Sequence, residues 1–248
     1  MPTGMSTTAG VRRLGDECQT DVVKIFTTAV RDAWLWIACC CAIASYGAIL
    51  MVNVPLLDPD EGLHAAIAQE MIESRDWVTP RVLGEVFLDK PILYFWALCY
   101  SLQIFGMTEF AVRVPGLLFG LLGILGCGWS AMHWFGRRTG LMAICIQGTM
   151  LMPFAAAQGA VHDVALVPWT IGAIVSIWSL PTLRNGGGKF YEWRCMGFAI
   201  LFVALAILTK GLIGLAFILL AIVPAALITR RWSVGRIVLI LVTVCGLG

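Results

Sequence analysis

The 248-residue sequence predicts an all-α fold: a polytopic transmembrane helical bundle of about seven spans, with a long outer first loop that contains juxtamembrane helices. Three observations carry this. Hydrophobic residues make up 59% of the chain and charged residues 13%, whereas a soluble domain is about a quarter charged. Apolar runs recur at the length of roughly 20 residues that a helix needs to cross the hydrocarbon core with its backbone satisfied internally. The basic residues sit in short clusters between those runs, and with a net charge of +2 they mark topology and exclude a nucleic-acid surface.

Residues 1–32 hold four basic and four acidic residues and no signal-peptide cleavage pattern, so they predict a cytoplasmic tail. The run at 33–54 is long enough to stay in the membrane as an uncleaved anchor, and 33–248 is expected to form one transmembrane catalytic module. Residues 55–90 carry eight acidic residues against three basic ones, the most polar stretch of the chain. Apolar stretches follow at 91–105, 112–135, 140–160, 163–183, 194–209, 211–229 and from 237 onward. The sequence stops about a dozen residues into the last run, at Gly248, which predicts a truncated chain or part of a longer architecture.

Counting sides decides which stretches span. If 91–105 lies at the interface, then Arg137/Arg138, Arg184/Lys189 and Arg230/Arg231/Arg236 all fall on the side of the tail, as positive residues prefer. That stretch has 15 residues, about 22 Å of helix, and its Tyr94, Phe95, Trp96 and Tyr100 suit an interfacial belt. The acidic region 55–111, the link at Asp163 and the Thr209-Lys210-Gly211 turn then share the outer face. Within the loop, 63–74 reads as a helix with Leu63, His64, Ile67, Ala68, Met71 and Ile72 on one half and Gln69, Glu70 and Glu73 on the other. Such a helix is expected to lie flat on the bilayer. Eight of the nine cysteines fall within or at the edge of apolar segments and read as packing residues rather than a zinc or disulfide framework. Gly186 to Gly188 reads as flexible linkage.

The candidate chemistry lies on the outer side. Asp58-Pro59-Asp60-Glu61 follows the first span, where a carboxylate can act as general base for an acceptor hydroxyl or simply cap the following helix. Lys90, in Asp89-Lys90-Pro91, stands at an aromatic interfacial segment, as a phosphate ligand or a snorkelling side chain. Arg113 can fork the same phosphate or pair with Glu109. Asp163, after His162, is an ionisable group near membrane depth or a helix cap. Lys210 interrupts a long apolar stretch and marks the hairpin between two spans. His64, on the apolar half of its helix, reads first as a packing residue and second as a metal ligand.

The stretch DPDEGLHAAIAQEMIESRDWVTPRVLGEVFLDKPILYFW at 58–96 resembles the first outer loop of GT-C glycosyltransferases, which use lipid-linked sugars. The likeness is to the aminoarabinose transferase and protein O-mannosyltransferase-like group. It continues through FGMTEFAVRVPGLLFGLL at 105–122, FGRRTGLMA at 135–143, the aspartate of AVHDVAL and LAILTKGLIGL at 205–215, and so covers about residues 34–248 in order. Members often carry Arg-Tyr where this chain has Leu63-His64.

The resemblance implies an inverting transferase of the inner membrane with its site on the outer, periplasmic face. Asp60 would be the catalytic carboxylate, and Lys90, Arg113 and Lys210 would hold the donor phosphate. Glu61, Asp89, Asp163 and His64 would line or support the cavity. No cofactor is certain, and a divalent metal at Asp89 or Glu61 is left open. The implied partners are a polyprenyl-phosphate-linked sugar, a lipid, glycan or protein acceptor, and membrane lipids, with no nucleic acid. A polyprenyl-phosphate-lipid transporter or flippase, or an inactive truncated relative, are the competing expectations.

Overall fold

The structure, a computed structural model, describes residues 33, 35–47, 60–159, 161–184 and 189–229. The expected tail at 1–32, the second half of the anchor, Asp58, the Gly186 to Gly188 turn, the basic cluster from Arg230 and the run from 237 lie outside the described residues. Within them the chain is helical apart from one small hairpin. The elements are α1 (Leu35–Gly47), α2 (Asp60–Ser74), β1 (Arg81–Val82), β2 (Glu85–Val86), α3 (Leu93–Phe105), α4 (Glu109–Phe135), α5 (Arg137–Thr149), α6 (Leu151–Gln158), α7 (His162–Arg184), α8 (Lys189–Lys210) and α9 (Leu212–Thr229).

Among the described residues three helices are long and apolar enough to cross a membrane, at Glu109–Phe135, His162–Leu180 and Phe190–Lys210, or four if the bent pair α5 and α6 is one span. Among the described residues, α1, α3 and α9 are apolar but shorter. The 13 residues of α3 reach only about 20 Å at 1.5 Å per residue, short of the hydrocarbon core.

The expected span at 140–160 is built of two helices, α5 and α6, bent by 62°, which together are long and apolar enough for one broken span or a re-entrant loop. Met150, between them, is extended at φ −68° and ψ 129°. Pro153 explains the break. It has no N–H to give the Thr149 carbonyl, and ending α5 at Thr149 places it in the first turn of α6, where no such bond is required.

Pro115 lies inside α4 and should break it in the same way, since the Ala111 carbonyl loses its helical donor. The helix continues because Ser101 on α3 donates its hydroxyl to that carbonyl at 2.6 Å. The N-terminus of α4 is capped by Thr108, whose Oγ1 accepts from the Ala111 N–H at 3.2 Å.

Three clusters form the core. Leu166, Ala173, Ile177 and Leu180 of α7 meet Ala199, Val203 and Ala206 of α8 and Ile218 and Ile222 of α9. Cys39 and Tyr46 of α1 pack with Leu117 and Ile124 of α4, Leu141 and Ile144 of α5 and Ala157 of α6. The third cluster joins α2, α3 and the start of α4 through Ile67, Met71, Tyr94, Phe95, Leu98 and Val112.

That third cluster corrects the expected lie of the 63–74 helix. Its apolar residues Ile67, Ala68 and Met71 are buried against protein, not turned to lipid. The α3 segment supplies the apolar partner that the bilayer was expected to supply. The loop between α2 and α3 also holds a hairpin that alternation in the sequence did not reveal, with Arg81 opposite Val86 and Val82 opposite Glu85. Its two turn residues, Leu83 and Gly84, have positive φ of 53° and 80°, as a two-residue hairpin turn requires. Glu70 of α2 accepts from the Gly84 N–H at 2.9 Å, and Trp96 donates its indole N–H to the Trp77 carbonyl at 2.7 Å. The loop is thereby fixed on both sides.

Candidate active site

Asp60 is the first residue of α2, and its side chain lies outside the described residues. Glu61, next to it, is buried and accepts a forked pair from Arg113 of α4, Nε to Oε1 at 3.3 Å and a terminal nitrogen to Oε2 at 3.1 Å. Both side chains are nearly sealed, at 7% exposure for Arg113 and 5% for Glu61. Arg113 was expected at the donor phosphate, or paired with Glu109. In this structure its planar fork meets the carboxylate of Glu61 two-to-two. The pair fixes the first turn of α2, where Asp60 begins.

Lys90 and Lys210, 120 positions apart in the sequence, line one groove of about 330 Å3 together with Val78, Pro80, Leu88, Asp89, Pro91, Ile92 and Gly211. Lys210 comes to the surface because α8 and α9 are joined by Gly211 alone, at φ 63°, a left-handed conformation that glycine adopts without strain. The Gly211 N–H donates to the Ile207 carbonyl at 2.6 Å. Lys210 is paired with Asp163, whose carboxylate is 60% exposed. Lys90 is paired with Asp89 at 3.8 Å, and Asp89 is 72% exposed. The expected meeting of the outer loop, the Asp163 link and the Lys210 turn on one surface is therefore observed. Two ammonium groups share a groove that also has apolar walls, and each is held by an aspartate that water already reaches.

Between the Glu61–Arg113 pair and the groove lies a buried aromatic pocket. His64, one helical turn after Asp60, meets His162 at 4.4 Å between ring centroids, and His162 meets Tyr94 at 4.5 Å and Phe95 at 5.0 Å. His64 is a packed ring here, as its place on the apolar half of α2 suggested. Burial and then the charge of Glu61 push the Tyr94 phenol above its ordinary range. The link from α6 to α7 passes close by: a Cβ added at Gly116 of α4 would stand 2.6 Å from the Gly159 carbonyl oxygen, so only glycine lets the backbones approach this closely.

No group of three or more His, Cys, Asp or Glu side chains is arranged to hold a metal among the described residues. Glu61 pairs with Arg113, and Asp89 faces Lys90. Sequence reading missed the roles of Glu61 as Arg113's partner and of His162 and Tyr94 as pocket walls. The buried pair had a faint signal, two opposite charges each one turn from an apolar helix start, but nothing in the spacing matched them across 52 positions.

Residues 89–247 match the model of the dolichyl-phosphate-mannose-protein mannosyltransferase family. The undecaprenyl phosphate-alpha-4-amino-4-deoxy-L-arabinose arabinosyl transferase 2 of Sodalis glossinidius is 30% identical over 194 residues, covering 78% of this chain and 35% of that protein. The corresponding transferase of Aeromonas hydrophila is 33% identical over 178 residues, with 71% and 32% covered. The chain thus spans about a third of the length of these curated relatives. Among solved structures, ArnT from Cupriavidus metallidurans in the apo state superposes with a TM-score of 0.75 at 26% identity, over 87% of this chain and 41% of that one. The same protein bound to undecaprenyl phosphate gives 0.70 at 28% identity, over 86% and 40%. With the family model covering well over half of its residues and the fold matching on top, this chain belongs to the dolichyl-phosphate-mannose-protein mannosyltransferase family of GT-C glycosyltransferases.

Proposed function

We propose that this chain carries the donor-binding and catalytic side of an inner-membrane glycosyltransferase that moves a sugar from polyprenyl phosphate to an envelope lipid, glycan or protein at the outer face. The observation that carries the proposal is the groove in which Lys90 and Lys210 stand together between apolar walls. A polyprenyl phosphate is an anion on an apolar tail, and the groove offers ammonium groups beside Val78, Leu88 and Ile92. The relatives' transfer of a pentose carried by undecaprenyl phosphate and the superposition on ArnT bound to undecaprenyl phosphate support the same donor class.

In this reading Asp60 takes the proton of the acceptor hydroxyl as that oxygen attacks the anomeric carbon. The bond to the polyprenyl phosphate breaks on the opposite side, and Lys90 and Lys210 stabilise the charge that develops on the leaving group. One displacement inverts the configuration. Arg113 acts through Glu61, keeping the first turn of α2 in place. Residues 1–32 are assigned to the cytoplasmic side, and 55–111 with the Lys210 turn to the periplasmic side.

The experiment is release of free polyprenyl phosphate from the sugar-charged lipid by membranes containing the full-length protein, wild type against Asp60→Asn. Release that needs Asp60 supports a transferase. Release by both proteins at equal rates removes Asp60 from the mechanism, and movement of intact charged lipid across the bilayer without release makes the protein a transporter.

A further inference from the structure

His162 is the first residue of α7, 2% exposed, and neither of its ring nitrogens has a hydrogen-bond partner. The hydroxyl of Tyr94, fully buried in the same pocket, has none either. A neutral imidazole carries one donor and one acceptor, and a phenol one donor. Leaving such groups unpaired inside a protein is unfavourable enough that each instance calls for a reason. Packing does not provide one, because the walls around His162 are the rings of His64, Tyr94 and Phe95, and a phenylalanine would fill that space with no polar atom to satisfy. The nitrogens are therefore open to a partner that this arrangement does not bring to them.

The place of His162 in the chain points to that partner. Its neighbour Asp163 holds Lys210, a groove lysine, and this carboxylate is open to water. An anion seated on Lys210 competes with Asp163 for it, which releases the first turn of α7 from α8. That turn opens α7. On its other side, His162 leans on His64 of α2 and on Tyr94, whose ring it already touches at 4.5 Å.

We infer that His162 is a positioning residue: occupancy of the Lys90/Lys210 groove by a phosphate anion is linked to formation of a hydrogen bond from the Tyr94 hydroxyl to a ring nitrogen of His162. The bond ties the start of α7 to α3 and steadies, through His64, the turn of α2 that begins at Asp60. This rests on the reading of the groove as a polyprenyl-phosphate site. Linkage makes the effect reciprocal: a bond formed only in the occupied state tightens binding by the worth of that bond.

The test is binding of undecaprenyl phosphate to the full chain in lipid nanodiscs, together with the thermal stability of the unliganded protein, for wild type, His162→Phe, Tyr94→Phe and the double variant. Each single variant is expected to bind about three- to ten-fold more weakly, the range for one net hydrogen bond, while its unliganded stability is equal to or above wild type. The double variant should be no weaker than either single one, because both delete the same bond. Tyr94→Phe removes only a hydroxyl, so it remains informative if His162→Phe does not fold. Unchanged affinity in the single variants overturns the inference, as does a double variant whose loss is the product of the two. Absence of binding by the wild type itself is a different result: it defeats the reading of the groove before any variant is compared.

Discussion

The Glu61–Arg113 and Lys210–Asp163 pairs use the same chemistry in opposite surroundings. In the first, a fork of two hydrogen bonds is sealed between α2 and α4; in the second, an ammonium meets a carboxylate that is 60% exposed. Burial makes the first pair permanent, since breaking it strands an uncompensated charge away from water. The second can open because water or an anion can replace either partner, and an exposed pair of this kind contributes at most about 1 kcal/mol. The difference separates structure from function more clearly than residue type does, because each pair contains one residue that sequence reading assigned to the donor phosphate.

The largest expected effect attacks the sealed pair. Arg113→Ala should destabilise the protein by about 3–5 kcal/mol, read as loss of the folded fraction in a thermal-aggregation assay. Wild-type stability would show that Glu61 is not committed to Arg113. Opening the exposed pair should act differently. Lys210→Ala is expected to leave folding intact and to weaken undecaprenyl phosphate binding by about ten-fold, on the scale of 1–2 kcal/mol for a charge-assisted contact. A loss of stability as large as that of Arg113→Ala would erase the distinction between the two pairs.

A smaller effect is expected at the α3–α4 seam. Ser101→Ala orphans the Ala111 carbonyl that Pro115 cannot serve, at about 1–3 kcal/mol for a buried acceptor. In a Pro115→Ala background the same change should be nearly silent. Equal losses in the two backgrounds would show that the hydroxyl is not compensating for the proline.

The smallest concerns the outer loop. Asp76 accepts from the backbone N–H groups of Thr79 and Val78, chiefly Thr79, and these hold its carboxyl below the ordinary value of 3.8. A lowered folded-state value means that the stabilisation is fully present above the unfolded value and is lost as pH falls through the folded one. Trp77 fluorescence should therefore stay constant down to about pH 4 and change below it. Asp76→Asn should flatten that change, and an unaltered profile in this variant would assign the transition to another group.

The sequence made the bundle legible because hydrophobic length and loop charge are local quantities. The hairpin at Lys210, the shortness of α3 and the gathering of Asp163, Lys90 and Lys210 on one face all followed from them. What failed depended on partners. The 63–74 helix has apolar residues at helical spacing, but that spacing cannot say whether protein or lipid covers them, and α3 proved to be the cover. Arg113 could not be matched to Glu61 from one sequence, since Glu109 stands at ideal helical spacing and Glu61 lies 52 positions away. The bend at Met150 was signalled by Pro153, whereas Pro115 carries the same signal without a break. The difference lies in Ser101, on another helix.

That last arrangement makes the cost of replacing one residue depend on the other. Ser101 and Pro115 are separated by 14 positions, yet the hydroxyl is dispensable only in a chain that has already given up the proline. A lineage that changes Ser101 first passes through a bundle with a stranded carbonyl, while one that changes Pro115 first meets no barrier there. Among related chains, a serine without the proline is therefore expected more often than the proline without a side chain able to donate from the α3 side.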